Sequence, residues 1–551
     1  MPGVRLSQLS HLRVPVPLPS PWFWGLVVLY VLLGLVGHDP WKADDAIGFG
    51  IAWSMANGQA QDWLTPNVAG QLVAEEGPLA FWLAALFIKG LGALLQPHDA
   101  ARLATGAWMS VTIIGVHRAA VALDGEPAGR HAVLALLACL GLLTRSHEIA
   151  AEPAFLAGTA LVLWALALDA APVRSAALLA VGLAVCGLSR GITPTLPVLL
   201  TCAAWAGLGG AAARRSRSGA LLVGLLGATL LYLPWWWSMH NNAAYALGHR
   251  NWLSNLLGLA GADAWRYYGK TLLWFAFPAW PVAIWWIAKR RPPMYLDVQP
   301  IPQVRHLPLV ALACMLASLA WSPLAGDAVL LPLLLPLALL VAPGLAYMRR
   351  GMAALIDWFG RISFTIAAAL IWLGYAAFAA GWPPRIAANF ARLEPGFVPG
   401  IHWSAVTIAS LATLAWVAAI ARSQRTPLRG IVHWCYGTTL TWLLLMTLWL
   451  PWIDYGRSYR PVALSIKAAL VSRADGRPAC IATGSLGLAE RASLAYFGNL
   501  EFASAPGNCG WLLLQGTRAD LPSAQHGLRL VWEGNRPGDR NERFRLYRRI
   551  K

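Results

Sequence analysis

Long apolar segments separated by short polar loops run through the first 450 residues of the chain. A helix needs about 20 mostly apolar residues to cross a bilayer, so the pattern predicts a polytopic, all-α membrane protein. We predict about thirteen transmembrane helices, near residues 22–37, 103–121, 131–144, 153–169, 175–189, 193–209, 219–237, 269–287, 307–322, 328–347, 360–380, 403–421 and 431–450.

Residues 78–95 are also apolar enough to cross, but the arginine clusters further along would then fall on alternating faces. We therefore predict that 44–57 and 78–95 are juxtamembrane helices at the membrane surface, within a first outer loop spanning 38–102. The N-terminus, which carries Arg5 and Arg13, is then cytoplasmic. Further cytoplasmic clusters fall at 214–217, 349–361 and 422–429.

Hydrophobicity falls after Pro451, and about a hundred polar residues follow. Short segments separated by Gly and Pro turns (ACIATG, ASLAYFG, GWLLLQG and RFRLYRRI) predict a small α/β domain. The predicted domains are 1–450 in the membrane and 451–551 outside the cytoplasm. Cys480 and Cys509 both lie in the second domain, where an oxidising environment would permit a disulfide between them.

Composition agrees with the membrane assignment. Charged residues make up 12% of the chain, against about 25% in soluble domains, and the mean hydropathy is +0.53. The net charge of +18 lies largely in short clusters between apolar segments, which is a topology signal. We therefore do not predict nucleic-acid binding.

Carboxylates gather in one stretch of a chain that has only 25 of them. Ionisable groups at a bilayer edge are costly and tend to be functional. Asp44 and Asp45 begin a helix-like segment, where capping alone would favour them. Alternatively, one of them acts as a general base on an acceptor hydroxyl. The acidic residues of the stretch are Asp39, Asp44, Asp45, Asp62, Glu75 and Glu76.

This stretch resembles the first outer loop of the GT-C glycosyltransferases, in particular the bacterial aminoarabinose-transferase and protein-mannosyltransferase type. The chain departs from that pattern at Gly48, where Tyr is usual, and at Glu76-Gly77, where Lys-Pro is usual. The shared residues are Asp44, Asp45, Asp62, Trp63, Leu64, Pro66, Glu75, Pro78, Leu79, Trp82 and Gly92.

The resemblance continues downstream with weaker motifs. Glu152 occupies the second acidic motif, although a Glu before Pro153 is also an ordinary helix start. Arg190 stands where the family has a Lys that can hold a donor phosphate, although an interfacial arginine can also simply snorkel. Lys270 likewise either binds a phosphate or only snorkels. Asp327 lacks the Lys that usually accompanies it in the family.

The resemblance implies an inverting glycosyltransferase of the bacterial inner membrane. Such an enzyme takes a sugar from a polyprenyl-phosphate carrier and passes it, on the periplasmic side, to lipid A, another envelope glycan or a protein. Asp44 would be the base, Asp45 or Glu152 would position the acceptor, and Arg190 and Lys270 would bind the phosphate. The residues expected to contact substrate are Glu75, His147, Glu148 and Trp82.

No cofactor is required by this scheme, but the resemblance leaves open a divalent metal held by Glu75 and His249 or His240, a donor set that suits zinc. Two other functions remain open. One is a transporter or flippase of lipid-linked sugars, because many spans and intramembrane charges are compatible with it. The other is a non-catalytic envelope-assembly subunit that has kept the fold.

Overall fold

A computed structural model of the chain describes residues 18–550, apart from 42, 75–76, 170, 243–245, 247–257, 290–305, 323–324, 472–479, 504–508, 518–526 and 540. The helices of the membrane part are α1 (Ser20–Leu32), α2 (Asp44–Asn57), α3 (Leu79–Leu91), α4 (Pro97–Asp124), α5 (Glu126–Ala138), α6 (Leu140–Arg145), α7 (Glu152–Ala167), α8 (Pro172–Arg190), α9 (Ile192–Gly207), α10 (Ala211–His240), α11 (Ala262–Phe275), α12 (Ala279–Lys289), α13 (Leu307–Ser318), α14 (Asp327–Leu330), α15 (Leu334–Leu345), α16 (Arg350–Ala380), α17 (Pro384–Leu393), α18 (Trp403–Arg422), α19 (Arg429–Leu444) and α20 (Leu450–Arg457).

The chain is a membrane-embedded protein. Seven helical stretches in the described residues are long and apolar enough to cross a bilayer, or eight if the bent pair α11 and α12 counts as one span. Shorter apolar helices, among them α1, α7 and α9, lie beside them. The predicted fold class, a polytopic helical protein with a small C-terminal sheet domain, is confirmed. The count of thirteen spans stays a prediction.

Two predicted spans are not continuous helices. The segment 269–287 is divided between α11 and α12, which are bent by 92° with respect to each other. Pro278 stands at the break, where it removes a backbone donor and cannot continue the helical bonding. The segment 131–144 is interrupted at Cys139, whose backbone is extended, so α5 and α6 are separate helices.

Small residues allow the central helices to approach closely. A side chain at Gly158 of α7 would place its Cβ 2.7 Å from the carbonyl oxygen of Gly182 on α8. A Cβ at Gly115 of α4 would lie 2.9 Å from the Cβ of Ala160. Close backbone approach is the usual basis of helix packing in a membrane, where lipid is as apolar as the side chains.

Two of the predicted cytoplasmic arginine clusters meet at one end of the bundle. The buried carboxylate of Asp357 on α16 accepts hydrogen bonds from Arg429 at 2.5 Å and His433 at 2.6 Å, both on α19. Arg361 lies 3.5 Å from the same carboxylate. The first turns of α16 and the start of α19 therefore lie together. Arg5 and Arg13 lie outside the described residues.

The first outer loop folds into α2, a 3₁₀ turn (Ala60–Trp63), the hairpin strands β1 (Asn67–Val68) and β2 (Gln71–Leu72), and α3. Phe49 and Met55 of α2 pack with Phe81 and Ile88 of α3 in one apolar core. Both juxtamembrane helices therefore form where they were predicted, within a few residues. Their apolar faces are buried against each other and against the beginning of α4.

The C-terminal domain contains α21 (Arg460–Val471), α22 (Leu488–Gly498) and the strands β3 (Ile481–Thr483), β4 (Trp511–Thr517), β5 (Leu528–Gly534) and β6 (Glu542–Arg549). The strand order is β3-β4-β6-β5, with β3 parallel to β4 and the other pairs antiparallel. The helices cover one face through a core that includes Ile466, Leu494, Leu513, Phe544 and Leu546.

Cys480 and Cys509 form a disulfide in this domain. The sequence predicted a small α/β domain but did not identify α21 or β5. Its boundary also differs from the prediction, because the helical chain of α19 and α20 continues past residue 450 to Arg457.

The C-terminal domain rests on the first outer loop. Arg491 of α22 donates to the carbonyl of Ala69 at the tip of the β1–β2 hairpin, at 2.9 Å, and to the Thr483 hydroxyl, at 3.1 Å. The ring of Tyr496 lies edge-on to Phe49, at 4.7 Å, and to Trp53, at 4.9 Å, both on α2. The helix that carries Asp44 is therefore packed between the membrane bundle and the C-terminal domain.

Replacing Arg491 with Ala should loosen this contact. Loss of charge-assisted hydrogen bonds typically costs about 1.5–3 kcal/mol, so the variant should show a lower Tm and faster proteolysis within residues 58–74. Limited proteolysis of the detergent-solubilised protein, read by mass spectrometry, checks this. Arg529→Ala, at an exposed position of β5, is the matched control. Equal cleavage of both variants would show that Arg491 does not stabilise the contact with the hairpin.

Candidate active site

Asp44 and Asp45 are adjacent at the start of α2 but have opposite environments. Asp45 is only 3% exposed. Its carboxylate accepts hydrogen bonds from Arg102 at 2.8 Å, from the Ile149 N–H at 2.9 Å and from the Trp41 N–H at 3.1 Å. Burial alone would raise the pKa of Asp45, but the Arg102 guanidinium outweighs it and holds that pKa below its usual range. A carboxylate bound in this way positions the loop and is not free to take a proton.

Arg102, near the start of α4, is fully buried. Besides Asp45, it donates to the carbonyls of His38 and Asp39, both at 2.9 Å. Burial, helped by Arg102, lowers the pKa of His38 to about 4, so this imidazole is neutral at pH 7. Arg102 therefore binds the backbone at residues 38 and 39 and the side chain of Asp45 at the same time.

A second group of contacts ties this turn to the C-terminal domain. Asp39 accepts hydrogen bonds from Ser458, at 2.6 Å, and from Arg460, with its Nε at 2.9 Å. Asp454 of α20 in turn accepts from the Asp39 N–H at 2.9 Å and the Trp41 indole at 2.8 Å. The start of α2 is thus held from both sides.

Close packing explains why this chain has Gly48 where the family pattern has Tyr. A Cβ at this position would lie 1.7 Å from the carbonyl oxygen of Ile149. The Tyr that the family usually has here cannot fit, because α2 packs directly against the backbone between α6 and α7. Gly77 has an equivalent role in close packing. Its N–H donates to the Ser189 carbonyl at 2.9 Å, and a Cβ at this position would lie 2.1 Å from the carbonyl oxygen of Leu188.

Asp44 is the accessible member of the pair, with a side chain that is 45% exposed. It forms an ion pair with Arg145 at the end of α6. Arg145 also contacts Glu148 at 3.2 Å and grips Asp327 with two hydrogen bonds, of 2.7 and 3.1 Å. Asp327, which lacks the family's Lys, therefore has a cationic partner after all, and one guanidinium is shared by three carboxylates.

Glu152 and Arg190 form a second ion pair beside the first. Glu152 is buried at the start of α7, whereas the Arg190 side chain, at the end of α8, is 22% exposed. Glu148 lies between the two pairs. Burial raises the pKa of Glu148 to about 8, against the opposing effect of Arg145 and with the help of Asp45, Asp44 and Glu152. The structure thus brings together the predicted residues Asp44, Glu148, Glu152 and Arg190.

Other predicted residues lie elsewhere. His147 is buried, with Nε2 2.8 Å from the Tyr30 carbonyl and Nδ1 3.0 Å from the Ser146 hydroxyl. A substrate contact does not fit an imidazole whose two nitrogens are already used, so we correct that prediction to a packing role. Trp82 is half-buried and donates to the Trp63 carbonyl. Lys270 is exposed on α11, which packs beside α6 and α14.

The predicted metal ligands Glu75 and His249 lie outside the described residues. The alternative ligand His240 stacks on Trp236, with ring centroids 4.6 Å apart. Within the part of the chain that the structure describes, no group of three or more His, Cys, Asp or Glu side chains is arranged to hold a metal ion.

Of the three arginines of the site, the sequence predicted Arg190 but not Arg102 or Arg145. Arg102 and Arg145 each stand at the end of a predicted span that borders the outer loops. In this topology most arginines fall on the cytoplasmic side, so an arginine on the same side as the carboxylates was the available signal.

Substituting Gly48 tests the packing of α2. Gly48→Ala should lower the Tm and disturb Asp44, because overpacking a buried contact costs about 1–3 kcal/mol or more when backbone must move. Gly90→Ala in α3 is the matched control, since its Cβ meets nothing within 4 Å, and it should be neutral or stabilising by about 0.5–1 kcal/mol. Thermal unfolding of both variants in detergent measures the difference, and equal Tm values would refute the close packing.

Glu148 predicts a pH dependence of stability. The pKa of Glu148 is about 8 in the folded protein and about 4.3 in the unfolded chain. Its contribution to the free energy of unfolding is therefore complete below about pH 4.3 and is lost as the pH rises through about 8. Glu148→Gln should therefore reduce the fall in Tm between pH 5 and pH 8.5. The control is Glu501→Gln, at an exposed position, and a fall as steep in Glu148→Gln as in this control would count against the raised pKa.

No family model matches the chain, and no curated protein sequence matches it. Two crystal structures of ArnT from Cupriavidus metallidurans are similar to it. The one bound to undecaprenyl phosphate is 16% identical with a TM-score of 0.65, and the apo one is 15% identical with a TM-score of 0.64. Each match covers 96% of this chain and 97% of ArnT.

The oligosaccharyltransferase AglB from Archaeoglobus fulgidus, in complex with an inhibitory peptide and a dolichol-phosphate, is 12% identical over 86% of this chain and 63% of AglB, with a TM-score of 0.45. That likeness is too low to support an inference. The likeness to ArnT extends over nearly the whole of both chains, and it agrees with the motifs of the first outer loop. The chain therefore has the GT-C fold, in the arrangement seen in ArnT.

Proposed function

We propose that this protein is a membrane glycosyltransferase that transfers a sugar from a polyprenyl-phosphate carrier to an acceptor of the cell envelope. The observation that carries the proposal is an exposed carboxylate, Asp44, held at one end of a membrane bundle beside two arginines. One of the ArnT structures with the same fold holds undecaprenyl phosphate, which supports a lipid-phosphate donor here.

The chemistry is a single displacement. An acceptor hydroxyl attacks the anomeric carbon of the donor sugar, the new C–O bond forms as the bond to the phosphate oxygen breaks, and the polyprenyl phosphate leaves with the bonding electrons. Asp44 takes the proton of the hydroxyl. Attack opposite the leaving phosphate inverts the anomeric centre. This scheme requires no cofactor.

Positive charge near the leaving group is the second requirement. Arg190 and Lys270 would stabilise the charge that develops on the phosphate. The Arg190 side chain is partly exposed, so it can turn toward a ligand while it remains near Glu152. The planar guanidinium also suits two phosphate oxygens at once.

The surrounding structure serves to fix Asp44. Asp45 and Arg102 hold the residues before α2, Gly48 seats α2 on the backbone at Ile149, and the C-terminal domain covers its far side. A general base must be held within hydrogen-bond reach of the proton it removes, so this rigidity is favourable for catalysis.

We place the reaction on the periplasmic side of the bacterial inner membrane, with lipid A, another envelope glycan or a protein as acceptor. The exposed arginines Arg385 and Arg392 of α17 and the C-terminal domain are candidates for choosing the acceptor. A transporter is less well supported, since transporters place substrate groups near the midplane between repeats. Here the reactive groups lie at loop ends and helix termini.

Replacing Asp44 with Asn tests the assignment of the base. Loss of a general base typically lowers the rate about 10²–10⁴-fold, whereas folding should survive because Asp44 is half-exposed. Purified protein in nanodiscs is given synthetic undecaprenyl-phosphate sugars of pentose, hexose and N-acetylhexosamine type together with an envelope fraction, and mass spectrometry detects the transferred sugar.

Asp263→Asn, at an exposed carboxylate of α11, is the control and should keep full activity. Normal transfer by Asp44→Asn would exclude Asp44 as the base. Absence of transfer by the wild-type protein with every donor would instead favour the non-catalytic assembly subunit.

A further inference from the structure

Arg145 is the most highly shared cation of the site, and neither the sequence motifs nor the proposed chemistry gives it a role. Its side chain is 17% exposed, less than each of its three partners. It lies at the end of α6, and its partners come from α2, from the turn after α6 and from the start of α14. It therefore joins three separate elements at one point.

The two edges of the guanidinium are not equivalent. Nε and Nη2 hold both oxygens of Asp327, at 3.1 and 2.7 Å, and the same Asp327 carboxylate also accepts the Ala328 N–H at 3.0 Å. This edge is anchored. The other edge, Nη1, serves both Asp44 and Glu148. Because Nη1 is shared by two partly exposed carboxylates, a new anion can compete with them for its hydrogen bonds.

Charge balance shows what such a competition would change. Asp44, Glu148 and Asp327 face one arginine, while Glu152 is matched by Arg190 and Asp45 by Arg102. Protonation of Glu148, whose pKa is raised by burial, removes one of the surplus charges near neutral pH. While Nη1 donates to Asp44, the oxygen that accepts this hydrogen bond is not available to an acceptor hydroxyl.

We propose that Arg145 is a positioning residue that Asp44 shares with the donor phosphate. While Asp327 anchors the guanidinium, the Nη1 edge passes from Asp44 to an oxygen of the incoming phosphodiester. Asp44 is thereby released next to the acceptor once the donor is bound, so that its carboxylate oxygens can accept the hydroxyl proton. No covalent bond changes in this step. The proposal rests on the proposed function and adds to it an order of events, in which donor binding precedes activation of the base.

The variants Arg145→Gln and Arg145→Lys test this role, with three measurements on each. Binding of undecaprenyl phosphate to protein in nanodiscs needs no knowledge of the sugar. Steady-state kinetics give the donor KM and kcat separately, and a merely structural role would not raise the donor KM selectively. Tm in detergent shows whether each variant is folded.

Arg145→Gln should weaken undecaprenyl phosphate binding and raise the donor KM about tenfold or more, the size expected for one charge-assisted hydrogen bond. It should raise the donor KM more than it lowers kcat, because Asp44 is already released from Arg145 in the donor complex of the wild type. Arg145→Lys should recover donor binding only in part, because one ammonium cannot hold Asp327 and a phosphate together.

Arg217→Gln is the matched control. Arg217 pairs with Asp169 at 2.6 Å and stacks on Trp205 at 4.2 Å, in a separate ion pair. A purely structural arginine, like this one, should change Tm without moving the donor KM.

The outcomes are distinguishable. Wild-type transfer combined with unchanged donor binding and an unchanged donor KM in folded Arg145→Gln would overturn the role of Arg145 and leave the proposed function intact. If Arg145→Gln does not fold, Arg145→Lys decides, and a Lys variant that binds undecaprenyl phosphate as tightly as the wild type contradicts the proposal. A wild-type protein that transfers no sugar would overturn both.

Discussion

The buried ion pair between Asp45 and Arg102 is the interaction on which the site depends. A fully buried guanidinium is costly to desolvate, and it is tolerated here because a carboxylate and two backbone carbonyls, those of His38 and Asp39, accept its hydrogens. These bonds fix the start of α2 relative to α4. Asp44 therefore emerges at a defined place, one residue from a group that cannot move.

Two more sets of contacts fix the start of α2 relative to the rest of the molecule. Gly48 lets α2 touch the backbone at Ile149, so the segment that carries Arg145 and Glu148 is set by the same contact. On the opposite side, Asp39 and Tyr496 join α2 to the C-terminal domain. The membrane bundle and the C-terminal domain thus hold one short helix between them, and the proposed chemistry takes place at its exposed end.

The sequence was sufficient for the fold class and both juxtamembrane helices, and it named Asp44, Glu148, Glu152 and Arg190 as candidates. It left the disulfide between Cys480 and Cys509 open, and the structure contains it. Hydrophobic periodicity and charge placement are local properties of the chain, and family motifs identify the loop. The pairings were not predictable, because which arginine meets which carboxylate depends on how distant helices pack. Arg145 and Asp327 are far apart in sequence and meet only in the folded bundle. Hydropathy alone also could not show the 92° bend between α11 and α12.

The central claim, that Asp44 is the base of a sugar transfer in the envelope, can be tested most directly in cells. Envelope lipids, glycans and proteins from a deletion strain are compared by mass spectrometry with those from strains complemented by the wild type or by Asp44→Asn. If Asp44 is the base, a sugar increment disappears on deletion, returns with the wild type and stays absent with Asp44→Asn at equal protein levels. Return of the increment with Asp44→Asn, or an envelope unchanged by deletion, would contradict it.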